Sequence, residues 1–367
     1  MVLKRMFILA AFVFWAGAVW AVNAQDLLND LNKETGQKQL EAALRLADFR
    51  SPEVVSALAA KLDDVKTDVT VRAACASSLG KLGDASTYPM LQALAKKQEE
   101  KTVVRNSCIV AITMMKGPDA IPELVEMLKV EKNPLAQRVI EEILSRMKDT
   151  QRVALAVSPL LQDETAAPSA IRVLGAVGGS AVITPLSKQL ASPKASVRQA
   201  VIRALGEIQD PNAVPPLLEF YPKGNEAEKV QILSAFANHP HPGAVKLMID
   251  ELENPKTYAP LRQRSALALG TVVARPAIKT LVRVMLDTAE QTGLRLACAE
   301  ALGNFGDHDD DAITGLIGVL SDKRIAETAA ISLSRITHSY QGTSKEKWTE
   351  WFQKWVQERD RRERVGH

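Results

Sequence analysis

The chain has 367 residues, which is long for one compact core, and its 46% hydrophobic content is enough to fold. Aromatic residues make up only 5%, so any core is built mainly from Ala, Leu, Val and Ile. With 46 basic residues against 43 acidic ones, the composition lacks the concentrated positive charge that a nucleic-acid partner needs.

The first element is residues 1–24. Lys4 and Arg5 are followed by an uncharged apolar run from Met6 to Val22, then by Val22-Asn23-Ala24. A basic start, a 17-residue apolar run and small residues before a cut are the layout of a secretory signal peptide cleaved before Gln25. A membrane span needs about 20 apolar residues, so an uncleaved anchor is the less favoured reading. Without Lys4 and Arg5, 44 basic residues face 43 acidic ones. The expected location is periplasmic or secreted.

From residue 36 onward the chain repeats itself. "VRAACASSLGKLGD" (Val71 to Asp84) and "LRLACAEALGNFGD" (Leu294 to Asp307) agree at eight of fourteen positions. With Arg72 as index, equivalent positions fall at Lys38, Arg105, Arg138, Ala167, Arg198, Gln231, Arg262, Arg295 and Ala326. A period near 32 residues is one supersecondary unit per repeat, the sign of a solenoid. In "VRQAVIRALGEI", Val197, Ala200, Val201, Ala204, Leu205 and Ile208 recur at helical steps and predict a first helix. A turn rich in Gly, Asp and Pro follows, then a second helix such as "AVPPLLEFY". Pro89, Pro122, Pro185 and Pro215 are expected in the first turn of that helix, where a missing N–H costs nothing. Gly80, Gly175, Gly206, Gly270 and Gly303 recur late in the first helix and predict a close approach of two helix backbones. Gly83 and Gly306 are the candidates for a left-handed helix end.

This skeleton, "VR…ALG…GD/DP…AVPPL", resembles the short HEAT-like repeat of the type also found in phycobilin lyases. The resemblance covers most of residues 36–340. It implies an all-α fold, an α-solenoid of about ten HEAT-like helix pairs forming a curved superhelix. The resulting organisation is a signal peptide over 1–24, a solenoid over 25–340 and a Trp-rich capping helix with a charged tail over 341–367.

The repeated residues read as structural. Cys75, Cys108 and Cys298 each stand three residues after an index Arg, so they hold one position in different repeats. Helices of neighbouring repeats pack about 8–10 Å apart, too far for a disulfide, which makes the three cysteines buried packing residues. Arg72, Arg105, Arg138, Arg198, Arg262 and Arg295 form a column. In HEAT-like repeats such an Arg pairs with an acid near the end of the preceding helix, a role that Asp64 and Asp287 fit.

Asp307, Asp309 and Asp311 match the first three ligand positions of a calcium loop, but Ala312 and Gly318 break the rest, so the acids are assigned to a helix N-terminus. "HPHP" (His239 to Pro242) reads as a stiff turn. His is never followed by Glu, so the His-Glu metal pairs of HEAT-repeat hydroxylases are absent.

At the C-terminus Trp348, Trp351 and Trp355 share one helical face. They are expected to cap the last repeat, and they are also the candidate partner-binding residues, since Trp dominates binding hot spots. The functional expectation is a non-catalytic protein-binding scaffold in the cell envelope, with no cofactor, no metal, no nucleic acid and, once the leader is cleaved, no stable membrane insertion. The alternatives are a phycobilin-lyase-like enzyme or tetrapyrrole carrier, and a membrane-anchored assembly factor.

Overall fold

The repeated phrase folds as a helix pair, and its composition explains why. The first helix carries small and aliphatic residues on several sides and is surrounded by neighbours. The second carries one apolar stripe and keeps a face in water. In this computed structural model residues 23–306 and 309–365 are described, and they are helical with no β-strand among them. The predicted leader lies outside the described residues, apart from Asn23 and Ala24. The chain divides into two units, one ending at Ala156 and one beginning at Val157.

The first unit contains α1 (Ala24–Lys33), α2 (Gln37–Arg45), α3 (Pro52–Asp63), α4 (Val69–Leu82), α5 (Tyr88–Lys96), α6 (Thr102–Lys116), α7 (Ile121–Val130) and α8 (Pro134–Arg146), with α9 (Thr150–Val157) at the division. The second contains α10 (Ala167–Val177), α11 (Ser180–Lys188), α12 (Ala195–Glu207), α13 (Val214–Phe220), α14 (Glu226–Phe236), α15 (Pro242–Glu253), α16 (Ala259–Thr271), α17 (Ile278–Leu286), α18 (Thr292–Leu302), α19 (Asp310–Gly318), α20 (Ala326–Thr337) and α21 (Lys345–Val365). Pairs run from α2/α3 to α20/α21, ten among the described residues. α1 precedes them and packs on α2, burying Leu27 and Leu31.

The recurring glycines mark where first helices meet. A Cβ on Gly80 would lie 2.6 Å from the Ala111 Cα, and one on Gly270 would lie 2.6 Å from the Ala301 Cα. Gly175, Gly206 and Gly303 meet Ala204, Ala235 and Ser332 in the same way. The predicted backbone approach is therefore present, and the absent side chain is what permits it. Gly83 ends α4 in the left-handed region at φ 71°. Gly306 differs: α18 ends at Leu302 with Gly303 at φ −63°, and Gly306 has no positive φ.

Five of the ten index positions do not hold the fourth helical place: Lys38 is second in α2, Ala167 and Ala326 are first in α10 and α20, and Arg138 and Gln231 are fifth and sixth in α8 and α14. In α4, α6, α12, α16 and α18 the index Arg is the fourth helical residue, but in α8 that place belongs to Gln137. Arg138 is exposed, one residue too far along to turn inward. In α14 the fourth residue is Lys229 and not Gln231, because the preceding turn is shorter. Pro89, Pro122 and Pro215 stand in the first turn as predicted, each behind a 3₁₀ turn. Pro185 stands inside α11, because that helix starts five residues earlier with no 3₁₀ turn before it.

Candidate partner-binding groove

The repeated polar residues are consumed by packing. Arg72 Nε donates to the Leu62 carbonyl at 2.8 Å, one of the orphan carbonyls that end α3. Its Nη1 and Nη2 donate to the two Glu100 oxygens at 2.9 and 2.8 Å. Arg105 binds the Ala95 carbonyl and Glu131, Arg262 the Leu252 carbonyl and Glu290, and Arg295 the Met285 carbonyl and Asp322. Arg198 reaches the Ser192 carbonyl at 2.8 Å and Glu228 at 2.8 Å.

The acid thus comes from the turn after the following second helix, or from the next first helix, and not from the end of the preceding helix. The preceding helix contributes a backbone carbonyl instead. Asp64 and Asp287 are engaged locally: Asp64 accepts from the Lys66 N–H and the Thr67 hydroxyl, and Asp287 from the Ala289 N–H. Arg138, outside this register, is exposed and makes no such pair among the described residues. Gln137 takes the place and donates to the Glu131 carbonyl at 2.7 Å. A planar fork that satisfies a carbonyl and a carboxylate together is Arg chemistry, and Lys could not reproduce it.

Cys75, Cys108 and Cys298 are free and fully buried, and burial pushes each thiol up to about 12. A protonated, inaccessible thiol is a packing group and not a nucleophile. Of the turn histidines, His239 is buried with Nε2 3.1 Å from the Gly206 carbonyl, which also accepts from Asn238 at 3.1 Å. His241 accepts the Gly243 N–H and caps α15. Asp307 and His308 lie outside the described residues. Asp309 caps α19 by accepting the Ala312 N–H, and Asp310 and Asp311 occupy its first turn.

In α21 the three Trp separate. Trp348 is fully buried, and its indole N–H donates to the Gly342 carbonyl at 2.8 Å. Trp351 and Trp355 are half-buried, stacked with centroids 6.2 Å apart, and the Arg359 guanidinium covers Trp355 at 4.7 Å. Arg359 also binds Asp310 at 2.9 Å, tying α21 to α19. The helix therefore takes the second-helix place of the tenth pair. Of its three candidate anchors, Trp351 and Trp355 keep some surface.

One concave feature of the second unit has no counterpart in the sequence pattern. In the second unit two adjoining troughs open, one of 530 Å³ along the second helices α11 and α13 and one of 400 Å³ at the turns that lead into the first helices α10 and α12. The larger lies between α11 and α13 over Leu190, Ala191, Pro215, Pro216 and Phe220. The smaller is bordered by Leu161, Asp163, Glu164, Lys194 and Val197. Lys188 and Ala191 belong to both. Proline creates the space. α13 has only 7 residues, with Pro215 and Pro216 in its first turn and Pro222 in the 3₁₀ turn that ends it, whereas α15 has 12. Short helices leave their neighbours' apolar flanks uncovered. The signal lay in the prolines, whose effect on helix length cannot be read without the packing.

Comparison with known proteins places these features in a family. A family model described as HEAT repeats matches residues 24–113, 66–145 and 162–237, together more than half of the chain. A second, described as PBS lyase HEAT-like repeat, matches residues 294–322. The chain is 25% identical over 199 residues to a deoxyhypusine hydroxylase of Aspergillus clavatus, and 27% identical over 209 residues to that of Neosartorya fischeri. Each alignment covers 52% of this chain and 59% of the relative, so the chain spans about three fifths of the length of these relatives. Among solved structures it is similar to Kap121p bound to Nup53p, with TM-score 0.61 and 14% identity over 91% of this chain and 43% of that one. Kap95p, in a complex with RanGDP, gives TM-score 0.55 and 14% identity over 88% and 52%. At such identities the likeness is one of fold, that of the HEAT solenoid. The chain belongs to the HEAT-repeat family.

Proposed function

We propose that the protein is a non-catalytic scaffold that binds another protein in the cell envelope, without a cofactor. One observation carries the reading: apart from the exposed Arg138, the repeated chemical groups are spent on holding repeats together, while a trough on the second helices α11 and α13 is left open. Five of the six column arginines, all but Arg138, are engaged in ion pairs, the thiols are protonated and inaccessible, and His239 and His241 serve the backbone. Export rests on the sequence of residues 1–24. Kap121p, similar in fold, was solved with Nup53p bound, which is consistent with a protein-binding role.

The test is recovery of the chain from Gln25 onward from its own cell envelope, with protein and small-molecule mass spectrometry of what it retains. One stoichiometric protein is expected. A reproducible small ligand with no protein would overturn the proposal in favour of the tetrapyrrole-carrier alternative, and protein retained only with an intact leader would favour the membrane-anchored assembly factor.

A second reading comes from the deoxyhypusine hydroxylase relatives. Against it, none of the five His in this chain is followed by Glu, so the paired ligands expected of a HEAT-repeat hydroxylase are not in the sequence. Among the described residues no group of three or more His, Cys, Asp or Glu is placed to hold a metal. Metal analysis of the purified protein separates the two readings: a substoichiometric trace fits the scaffold, and a stoichiometric metal content supports the hydroxylase.

A further inference from the structure

We infer that the junction between the α14/α15 and α16/α17 pairs is a one-sided hinge of the second unit, closed along the second helices and free to open along the first. The inference does not depend on what the protein binds.

Two devices fasten neighbouring first helices in this unit. Between α12 and α14, Gly206 lets Ala235 approach, and Arg198 pairs with Glu228. The Gly206 carbonyl also accepts from the Asn238 amide of α14 at 3.1 Å. Between α16 and α18, Gly270 meets the Ala301 backbone, and Arg262 pairs with Glu290. Between α18 and α20, Gly303 meets Ser332, and Arg295 pairs with Asp322. α10 and α12 keep one of the two devices, the contact of Gly175 with Ala204.

Between α14 and α16 both devices are missing. Gly206, Gly270 and Gly303 each stand eight residues after their arginine, whereas eight residues after Lys229 comes Ala237. Lys229 holds the Arg place in α14, and an ammonium lacks the planar fork that serves a carbonyl and a carboxylate at once. The acid is absent too. Glu290 lies 28 residues past Arg262, but 28 residues past Lys229 stands Thr257, and residues 255–259 contain neither Asp nor Glu. The Lys229 ammonium lies instead 5.5 Å from the centre of the Tyr221 ring, in the turn before its own helix.

The second-helix side of the same junction is fastened. Arg262 Nε donates to the Leu252 carbonyl near the end of α15 at 3.0 Å. Glu253, the last residue of α15, accepts from the Thr280 hydroxyl at 2.8 Å and the Arg283 guanidinium at 2.6 Å, both on α17. α14 is thus bound backward to α12, and α16 forward to α18, with neither device between them. Local opening follows the least-fastened contact, so α14 and α16 separate first and the α15/α17 edge serves as the pivot.

Thiol labelling of the full chain tests this, with the fully buried Cys298 on α18 as the internal reference. Ala268 is 2% exposed. It stands six residues past Arg262, as Ala235 does past Lys229 and Ala301 past Arg295, which puts it on the face of α16 toward α14. Ala268→Cys is expected to react with a maleimide at least about tenfold faster than Cys298 under native conditions. Restoring both devices with Lys229→Arg, Thr257→Glu and Ala237→Gly is expected to bring that rate down to the rate of Cys298. Equal rates in the unrestored protein, or a rate that restoration leaves unchanged, would overturn the inference. Hydrogen exchange gives a second reading that needs no added cysteine. The restored chain is expected to exchange its α14 amides at least about tenfold more slowly than the natural one, with those of α18 unchanged. Unaltered exchange in α14 would count against the hinge.

Discussion

The Arg72 guanidinium and the Glu100 carboxylate, 28 residues apart in sequence, meet in a two-pronged ion pair of 2.9 and 2.8 Å with both side chains only 5% exposed. The same guanidinium holds the end of α3. One side chain therefore fastens the preceding second helix, its own first helix and the entry to the next repeat.

Removing one member leaves a buried charge without a partner, which costs about 3–5 kcal/mol. Arg72→Met is expected to destabilise the first unit by roughly that amount, and Glu100→Gln by less, because the amide still accepts one hydrogen bond. Urea unfolding of the two single variants and the double variant would give the coupling. Additive effects in that cycle would contradict the pairing.

The pair also sets an acid limit. The Arg72 guanidinium beside Glu100 holds its carboxyl below the ordinary value near 4.5. Because the folded value is the lower one, the unfolded chain takes up the proton first as pH falls. Stability from this group is complete above about pH 4.5 and declines below it. Glu100→Gln is expected to lose stability less steeply between pH 5 and 3, in the range of about one pH unit either side of the ordinary value, as thermal melts across that range would show.

Helix propensity and packing make opposite demands at Gly80. Ala is favoured over Gly inside a helix by about 1 kcal/mol. A Cβ there would nevertheless stand 2.6 Å from the Ala111 backbone. Packing wins, because backbone cannot yield as a side-chain tip can. Gly80→Ala is expected to lower the melting temperature more than Gly83→Ala, where open space surrounds the site and only the positive φ opposes a side chain. The reverse order in a thermal melt would contradict the close approach.

Ser265 occupies the place that Cys75, Cys108 and Cys298 fill elsewhere, fully buried, and its hydroxyl finds no hydrogen-bond partner among the described residues. Ser265→Ala removes an unsatisfied polar group at little loss of volume. It is expected to stabilise the second unit by about 1 kcal/mol, read as a higher urea midpoint.

The repeat, the helix pairing and the glycine contacts were legible in the sequence because each unit solves the same packing problem with nearly the same letters. The partner of the Arg column was not. Glu100, Glu131 and Glu290 lie 26 to 28 residues past their arginines in turns of varying length, and a one-dimensional alignment carries no direction. Arg138 and Gln231 were assigned by letter matching, which drifts by one or two residues where turns shorten. The trough was not legible in the sequence for a related reason. Pro185, Pro215 and Pro216 appear as ordinary helix-start residues, and only the packed helices reveal how much surface they leave bare.

Native mass spectrometry of the protein purified from its own cells bears most directly on the scaffold proposal. The expected mass is that of the chain from Gln25 onward plus one protein in fixed ratio, without a metal ion or tetrapyrrole. A chain carrying a stoichiometric metal or small molecule and no protein would contradict it.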